Sequence, residues 1–305
     1  MDGPMMRRHL LSIESLSVQA IEEILDASAK PIPRVHQGKT VATLFFEPST
    51  RTRGSFDLAA KRLGCDVLSF DPSSSSAGKG EDLLDTVANL DAMQIDALIL
   101  RHGGSGAADV VAKHVRASVI NAGDGRHEHP TQALLDAFTI RKHKGRLRDL
   151  RVVLCGDIAN SRVARSNIHL LGKYGNEIRL CAPATLMPRG IETLAPNVST
   201  FTNFDEALEG ADVVMMLRVQ MERIDEALIA SKKDYPVLYG LSDARLRLAK
   251  KDAIVMHPGP MNRGMEIASS VADGPQSVIL DQVSNGVKVR AAVLDLLLRA
   301  KEAGA

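Results

Sequence analysis

Five consecutive residues, Ser49-Thr50-Arg51-Thr52-Arg53, put three hydroxyls and two guanidinium groups directly after the apolar run 41–46 and the turn dipeptide Glu47-Pro48. A helix starting there presents backbone N–H groups, hydroxyls and a charged fork to one point, which is how a chain holds a phosphate without a metal. The same residues also fit a plain Ser/Thr helix cap with solvated arginines. The position after a strand's carboxyl end favours the ligand site, because open α/β sheets bind ligands there.

Other residues invite a chemical reading too. Arg101 ends an apolar run and His129 stands just before Pro130, where a helix should begin, so both are expected to face the cleft that holds Arg51 and Thr52. In the second half, Arg162 follows the turn Cys155-Gly156-Asp157, and Arg218 follows the strand predicted at 212–217. A charge at a strand end is costly to bury unless something pairs it. Two arginines so placed suggest a ligand with two carboxylates, salt bridges to Asp or Glu being the alternative. His127-Glu128-His129 has metal-ligating residue types but no third ligand nearby in sequence, and His9, His36, His102, His114, His143 and His169 read as incidental. The turn after residue 155 lacks GxGxxG, which argues against a nicotinamide cofactor, and Gly78-Lys79-Gly80 lacks the Ser or Thr and the spaced glycine of a P-loop.

The elements that must position these residues follow from length and pattern. At 305 residues the chain has room for two domains. Its 45% hydrophobic and 25% charged residues are those of a globular protein, and a net charge of +1 argues against a nucleic-acid partner. Cys65, Cys155 and Cys181 include no CxxC pair, so neither a disulfide framework nor a structural zinc is expected. The N-terminus lacks the apolar run of a signal peptide, and no stretch approaches a membrane span, so no membrane association and a cytoplasmic location are expected.

Short apolar runs alternate with amphipathic stretches, which predicts an α/β fold of two domains, each a mostly parallel sheet flanked by helices. Strands are predicted at 41–46, 67–70, 97–100, 118–121, 151–155, 178–181, 212–217 and 253–256. Helices are predicted at 18–30, from the Ser49 segment to Gly64, at 81–94, 106–115, 130–144 and 278–299. The helix from Pro130 ends in Lys142-His143-Lys144-Gly145 and is expected to bridge the domains. The first domain is expected to cover 1–145, with the helix from about 285 to 305 packing back on it, and the second 146–284.

Taken together, Phe45-Phe46-Glu47-Pro48-Ser49-Thr50-Arg51-Thr52-Arg53, Lys79-Gly80-Glu81, Arg101-His102, His129-Pro130-Thr131-Gln132-Ala133-Leu134-Leu135-Asp136, Gly156-Asp157, Ser161-Arg162, Arg218-Val219-Gln220 and His257-Pro258-Gly259-Pro260 resemble the aspartate/ornithine carbamoyltransferase family, on its aspartate-using side. The resemblance implies transfer of the carbamoyl group of carbamoyl phosphate to the amino group of L-aspartate, the committed step of pyrimidine synthesis, with no cofactor and no metal. It implies that the domain 1–145 binds carbamoyl phosphate and the domain 146–284 binds aspartate. Ser49, Thr50, Arg51 and Thr52 would bind the phosphate, Thr52, Arg101 and His129 would address the carbamoyl oxygen, and Gln132 with the backbone at Pro258 and Gly259 would hold the carbamoyl nitrogen. Arg162, Arg218 and Gln220 would hold the aspartate carboxylates, with Lys79 also binding aspartate. Lys79 and Ser76 match a loop that reaches a neighbouring subunit's site, which implies a homotrimer with shared active sites and admits a larger assembly with regulatory or dihydroorotase-like chains. Ser76 lies in a serine run three residues before Lys79, a departure that leaves Lys79 the firmer match. Ornithine as acceptor, and a non-catalytic subunit of the same fold, are the competing readings. The first is disfavoured because His257 is followed by Pro258 and not by the cysteine of the ornithine branch.

Overall fold

A computed structural model describes residues 8–70, 82–219 and 234–303. The chain divides into two compact units, one of Met1–Phe138 with Val283–Ala305 and the other of Thr139–Gln282.

In the first unit the order is α1 (Val18–Ser28), β1 (Thr40–Phe45), α2 (Thr50–Leu63), β2 (Asp66–Phe70), α3 (Leu83–Ala92), β3 (Ala97–His102), α4 (Ala107–Ala112) and β4 (Ser118–Asp124), followed by the start of α5 (Pro130–Lys144). The strands form one parallel sheet in the order β2-β1-β3-β4. Ala42, Leu44, Leu98, Leu100 and Val119 on the strands pack with Val87, Leu90, Ala108 and Val111 on the helices, which is why these runs read as continuously apolar. The hydroxyl of Ser17 accepts from the Ala20 amide and caps α1, and α2 stops at Gly64, whose φ of 93° suits glycine. β4 runs three residues beyond its predicted end at Asn121, because Asn121 side-chain bonds to the Gly123 amide and to Asp124 keep that stretch fixed.

The second unit holds β5 (Arg151–Cys155), α6 (Arg162–Lys173), β6 (Glu177–Cys181), β7 (Val198–Phe201), α7 (Phe204–Leu208), β8 (Val213–Met216), α8 (Asp234–Tyr239), α9 (Asp243–Leu246), β9 (Ile254–Met256) and α10 (Ser269–Ala272). Its parallel sheet has the order β7-β6-β5-β8-β9. β7 is absent from the sequence prediction, since a four-residue edge strand with two exposed polar residues carries almost no apolar signal. The last helix, α11 (Ile279–Ala303), crosses the division between units, as does α5. Beyond the division α11 is anchored within the first unit, where Asp295 binds His36 Nε2 at 2.7 Å and Glu302 lies 3.1 Å from Lys39. Among the described residues no helix is long and apolar enough to cross a membrane.

Candidate active site

Strand order places the first set of residues. The connection leaving β1 runs to β2 on one side and the connection leaving β3 runs to β4 on the other, so the carboxyl ends of β1 and β3 flank the point where the order reverses. Ligands bind at such points. The loop to Ser49 leaves β1 there, and Arg101, opposite Phe45 in the register, stands at the end of β3. Arg101 Nη1 donates to the Ala122 carbonyl at 3.3 Å, and its Nε lies 3.4 Å from Glu47 Oε2.

Ser49 occupies the N-cap position of α2, yet its side chain makes no capping hydrogen bond. A simple Ser/Thr cap, the bland alternative from the sequence, is therefore not what these residues form. The first amides of α2 have no acceptor within the helix, and the helix dipole adds positive potential at the same end. A cavity of about 500 Å³ opens beside this turn, lined by Phe45, Phe46, Glu47, Pro48, Ser49, Thr50, Arg53, Gly54 and Asp57. Thr50, Arg53, Gly54 and Asp57 share a helix face at spacings of three, four and seven residues. Arg51 lies outside that lining and is exposed, while Thr52 is buried. With Glu47 and Asp57 in its wall the cavity has mixed charge, and burial pushes the Asp57 carboxyl up while Arg53 and Lys61 oppose the shift.

His129 and Gln132 start α5 after a tightly held turn. Asp124 Oδ2 accepts from the Gly106 amide at 2.6 Å and from His127 Nδ1 at 3.0 Å, while its Oδ1 accepts from Asn121 at 2.8 Å and the Glu128 amide at 3.1 Å. Burial works against the Asp124 carboxylate, but these donors hold its pKa below the ordinary value. Glu128 turns inward to accept from the Ile13 and Glu14 amides, a structural role for the middle residue of His127-Glu128-His129. His129 is 4% exposed, its carbonyl accepts from the Gln132 amide, and Gln132 Nε2 donates to the buried Asp136 at 3.0 Å.

The second unit repeats the logic. Its order reverses between β5 and β8, and the turns leaving those two strands carry Arg162 and Arg218. Ser161 caps α6 by accepting from the Ala164 amide at 3.0 Å, which makes Arg162, 8% exposed, the first helical residue. A cation there works against the helix dipole. Gly156 lets the two turns approach, with φ at 140° and any added Cβ falling 2.5 Å from the Leu217 carbonyl oxygen. Gly156→Ala should therefore cost about 1–3 kcal/mol in chemical denaturation. An unchanged midpoint would show that the turns are not packed this closely.

After β9, His257 organises the loop that contains Pro258 and Gly259. Its Nδ1 accepts the Gly259 amide at 2.8 Å, so the ring proton sits on Nε2 and points to Glu266 Oε1 at 3.2 Å. Glu266 also accepts from the Asn262 amide, and the Asn262 side chain donates to the Val219 carbonyl at 3.2 Å. The Pro258-Gly259 backbone is thus tied to the segment that carries Arg218. Ser76, Lys79 and Gln220 lie outside the described residues.

Two family models cover nearly all of this architecture. Aspartate/ornithine carbamoyltransferase, carbamoyl-P binding domain, matches residues 8–142, and Aspartate/ornithine carbamoyltransferase, Asp/Orn binding domain, matches residues 148–297. The chain belongs to the aspartate/ornithine carbamoyltransferase family. It is 58% identical over 299 residues to the aspartate carbamoyltransferase catalytic subunit of Sorangium cellulosum, covering 95% of this chain and 92% of that one. It is 55% identical over 309 residues to the same subunit of Gluconobacter oxydans, covering 98% of each. Among solved structures, aspartate transcarbamoylase from Trypanosoma cruzi in complex with N-(phosphonacetyl)-L-aspartic acid is similar, with a TM-score of 0.85, 32% identity and 94% of each chain covered. The ornithine carbamoyltransferase of Pyrococcus furiosus has the same TM-score at 28% identity, covering 95% of this chain and 96% of that one.

For this family member, then, the described residues bring Ser49, Thr50 and Arg53 to one cavity, with Arg101 at its edge through Glu47. Sequence reasoning did not single out Arg53's place in the cavity wall, although helix phase carries it, since Arg53 falls one turn after Thr50 and Arg51 does not. It also missed the support that Glu266 gives His257, nine positions away in a stretch with no strand or helix to set its direction.

Proposed function

We propose that the chain transfers the carbamoyl group of carbamoyl phosphate to the amino group of L-aspartate, giving N-carbamoyl-L-aspartate and phosphate. The observation that carries this reading is its near full-length kinship with aspartate carbamoyltransferase catalytic subunits, joined to arginines at both strand ends that flank the reversal in the second sheet.

The first unit would take carbamoyl phosphate and the second aspartate. The amides opening α2, with Ser49, Thr50, Arg51 and Thr52, bind the phosphate. Thr52, Arg101 and His129 donate to the carbamoyl oxygen, and Gln132 with the Pro258 and Gly259 backbone holds the carbamoyl nitrogen. Arg162, Arg218 and Gln220 take the two carboxylates, for which a guanidinium fork is matched in geometry and charge. The aspartate amine attacks the carbamoyl carbon, forming a C–N bond and driving negative charge onto the carbonyl oxygen, where the fixed donors stabilise it. The bond from the carbamoyl carbon to the phosphate oxygen then breaks, and the leaving phosphate accepts the proton lost by the amine. No side-chain nucleophile is needed, so the rate comes from positioning two anionic substrates among cations and from the oxyanion donors.

Purified chain should release one phosphate for each N-carbamoyl-L-aspartate formed. A chain that binds N-(phosphonacetyl)-L-aspartic acid yet makes no product would instead be a non-catalytic subunit.

The active assembly we propose is a cytoplasmic homotrimer in which Lys79 and Ser76 serve a neighbouring chain's site. Three buried free thiols suit a reducing compartment. Mixing inactive Lys79→Ala chains with inactive Arg51→Ala chains should restore activity, because some sites then receive both intact residues. Mixed trimers, verified by mass, that stay inactive would refute sharing.

A further inference from the structure

Arg290 lies on α11 and is 4% exposed, a position where a cation is costly and needs a reason. Burial pulls its guanidinium down to about 10, with the attraction of Asp136 opposing, so it stays charged at neutral pH. The group stands over the Phe56 ring, 5.1 Å from its centre, and Nη1 donates to Ser55 Oγ at 2.7 Å. Ser55 Oγ in turn donates to the Thr52 carbonyl at 2.9 Å. Asp136, whose charge attracts the guanidinium, accepts from the Gln132 side-chain amide.

The arrangement is not tuned for stability. Arg290 Nε is buried with no hydrogen-bond partner among the described residues. One turn earlier, Gly286 stands inside a 25-residue helix, where alanine would be the better helix former. A Cβ at Gly286 would fall 2.8 Å from Arg290 Nη1, so the glycine leaves the space that the guanidinium occupies.

We propose that Arg290 is a positioning residue for the carbamoyl phosphate site, fixing the first turn of α2 through Ser55 and the Thr52 carbonyl, while its attraction for Asp136 steadies the carboxylate that accepts the Gln132 amide. The proposal rests on the reading of Thr52 and Gln132 as substrate ligands. Arg290 touches no substrate. It sets the direction of two groups that do.

Three variants test this. Ser55→Ala leaves the Arg290 charge and Asp136 in place, Arg290→Lys keeps the charge but loses the fork, and Gly286→Ala crowds the guanidinium while favouring the helix. Each should weaken the affinity for inorganic phosphate and raise KM for carbamoyl phosphate by about three- to tenfold, with KM for aspartate within twofold and with Gly286→Ala melting no lower than the parent. Ser55→Ala combined with Arg290→Lys should lose little more than the worse single variant, because the two act through one link. A purely structural role predicts otherwise: fewer active molecules, a lower kcat, and unchanged phosphate affinity. That result, or losses that multiply in the double variant, would overturn the proposal. Phosphate affinity is read without turnover, so a parent chain that makes no carbamoyl aspartate would sink the functional reading and leave this measurement to judge Arg290 alone.

Discussion

Arg101→Ala is expected to lower kcat by about 10²–10³-fold, the range for removing one preorganised oxyanion donor, with no comparable loss of fold. The guanidinium is held at the end of β3 by the Ala122 carbonyl and Glu47, so its direction is set before substrate arrives. It lies at the reversal point of the first sheet, beside the turn that carries Ser49. Charge grows on the carbamoyl oxygen only as the amine attacks, so the loss should fall on kcat more than on KM for carbamoyl phosphate. Steady-state kinetics with a melting curve checks this. A folded variant within threefold of the parent kcat would remove Arg101 from the reaction.

Arg162→Ala is expected to reduce kcat/KM for aspartate by about ten- to a hundredfold, the size of one charge-assisted contact, while KM for carbamoyl phosphate changes little. The cause is electrostatic. A nearly buried cation at the first position of α6 works against the helix dipole, and a carboxylate ligand would offset that cost. Arg162→Lys should recover only part of the loss, because an ammonium cannot form the two parallel bonds of a guanidinium. An equal loss of kcat/KM for both substrates, with both KM values unchanged, would point to a role in folding.

Much of the scaffold is legible in the sequence for a physical reason. Strands covered on both faces, such as β1 and β5, must be mostly apolar, and helices such as α2 end where Gly64 adopts a left-handed turn. β7 escapes because an edge strand answers to solvent on one side. The reversal points of the two sheets are not legible, since they depend on strand order and a linear pattern carries none. Once that order is known, Arg101 falls at a strand end, and Arg162 and Arg218 fall in the segments leaving strands, all beside the reversals. Arg290 is hidden for another reason. Its partner Ser55 is 235 positions away, and inside α11 it reads as one more charged residue of an amphipathic helix. Arg51 and Arg53 stand two positions apart in the sequence, and only the helix phase tells them apart, with Arg53 lining the cavity and Arg51 outside it.

The most direct test of the central claim is the product made by the purified chain from carbamoyl phosphate when L-aspartate and L-ornithine are offered separately. On the proposed reading, Arg162 and Arg218, in the segments that leave β5 and β8, would favour a dicarboxylate and repel the ornithine side-chain cation. The expected product is N-carbamoyl-L-aspartate, with kcat/KM favouring aspartate by about 10³-fold or more. Faster turnover with ornithine would contradict it.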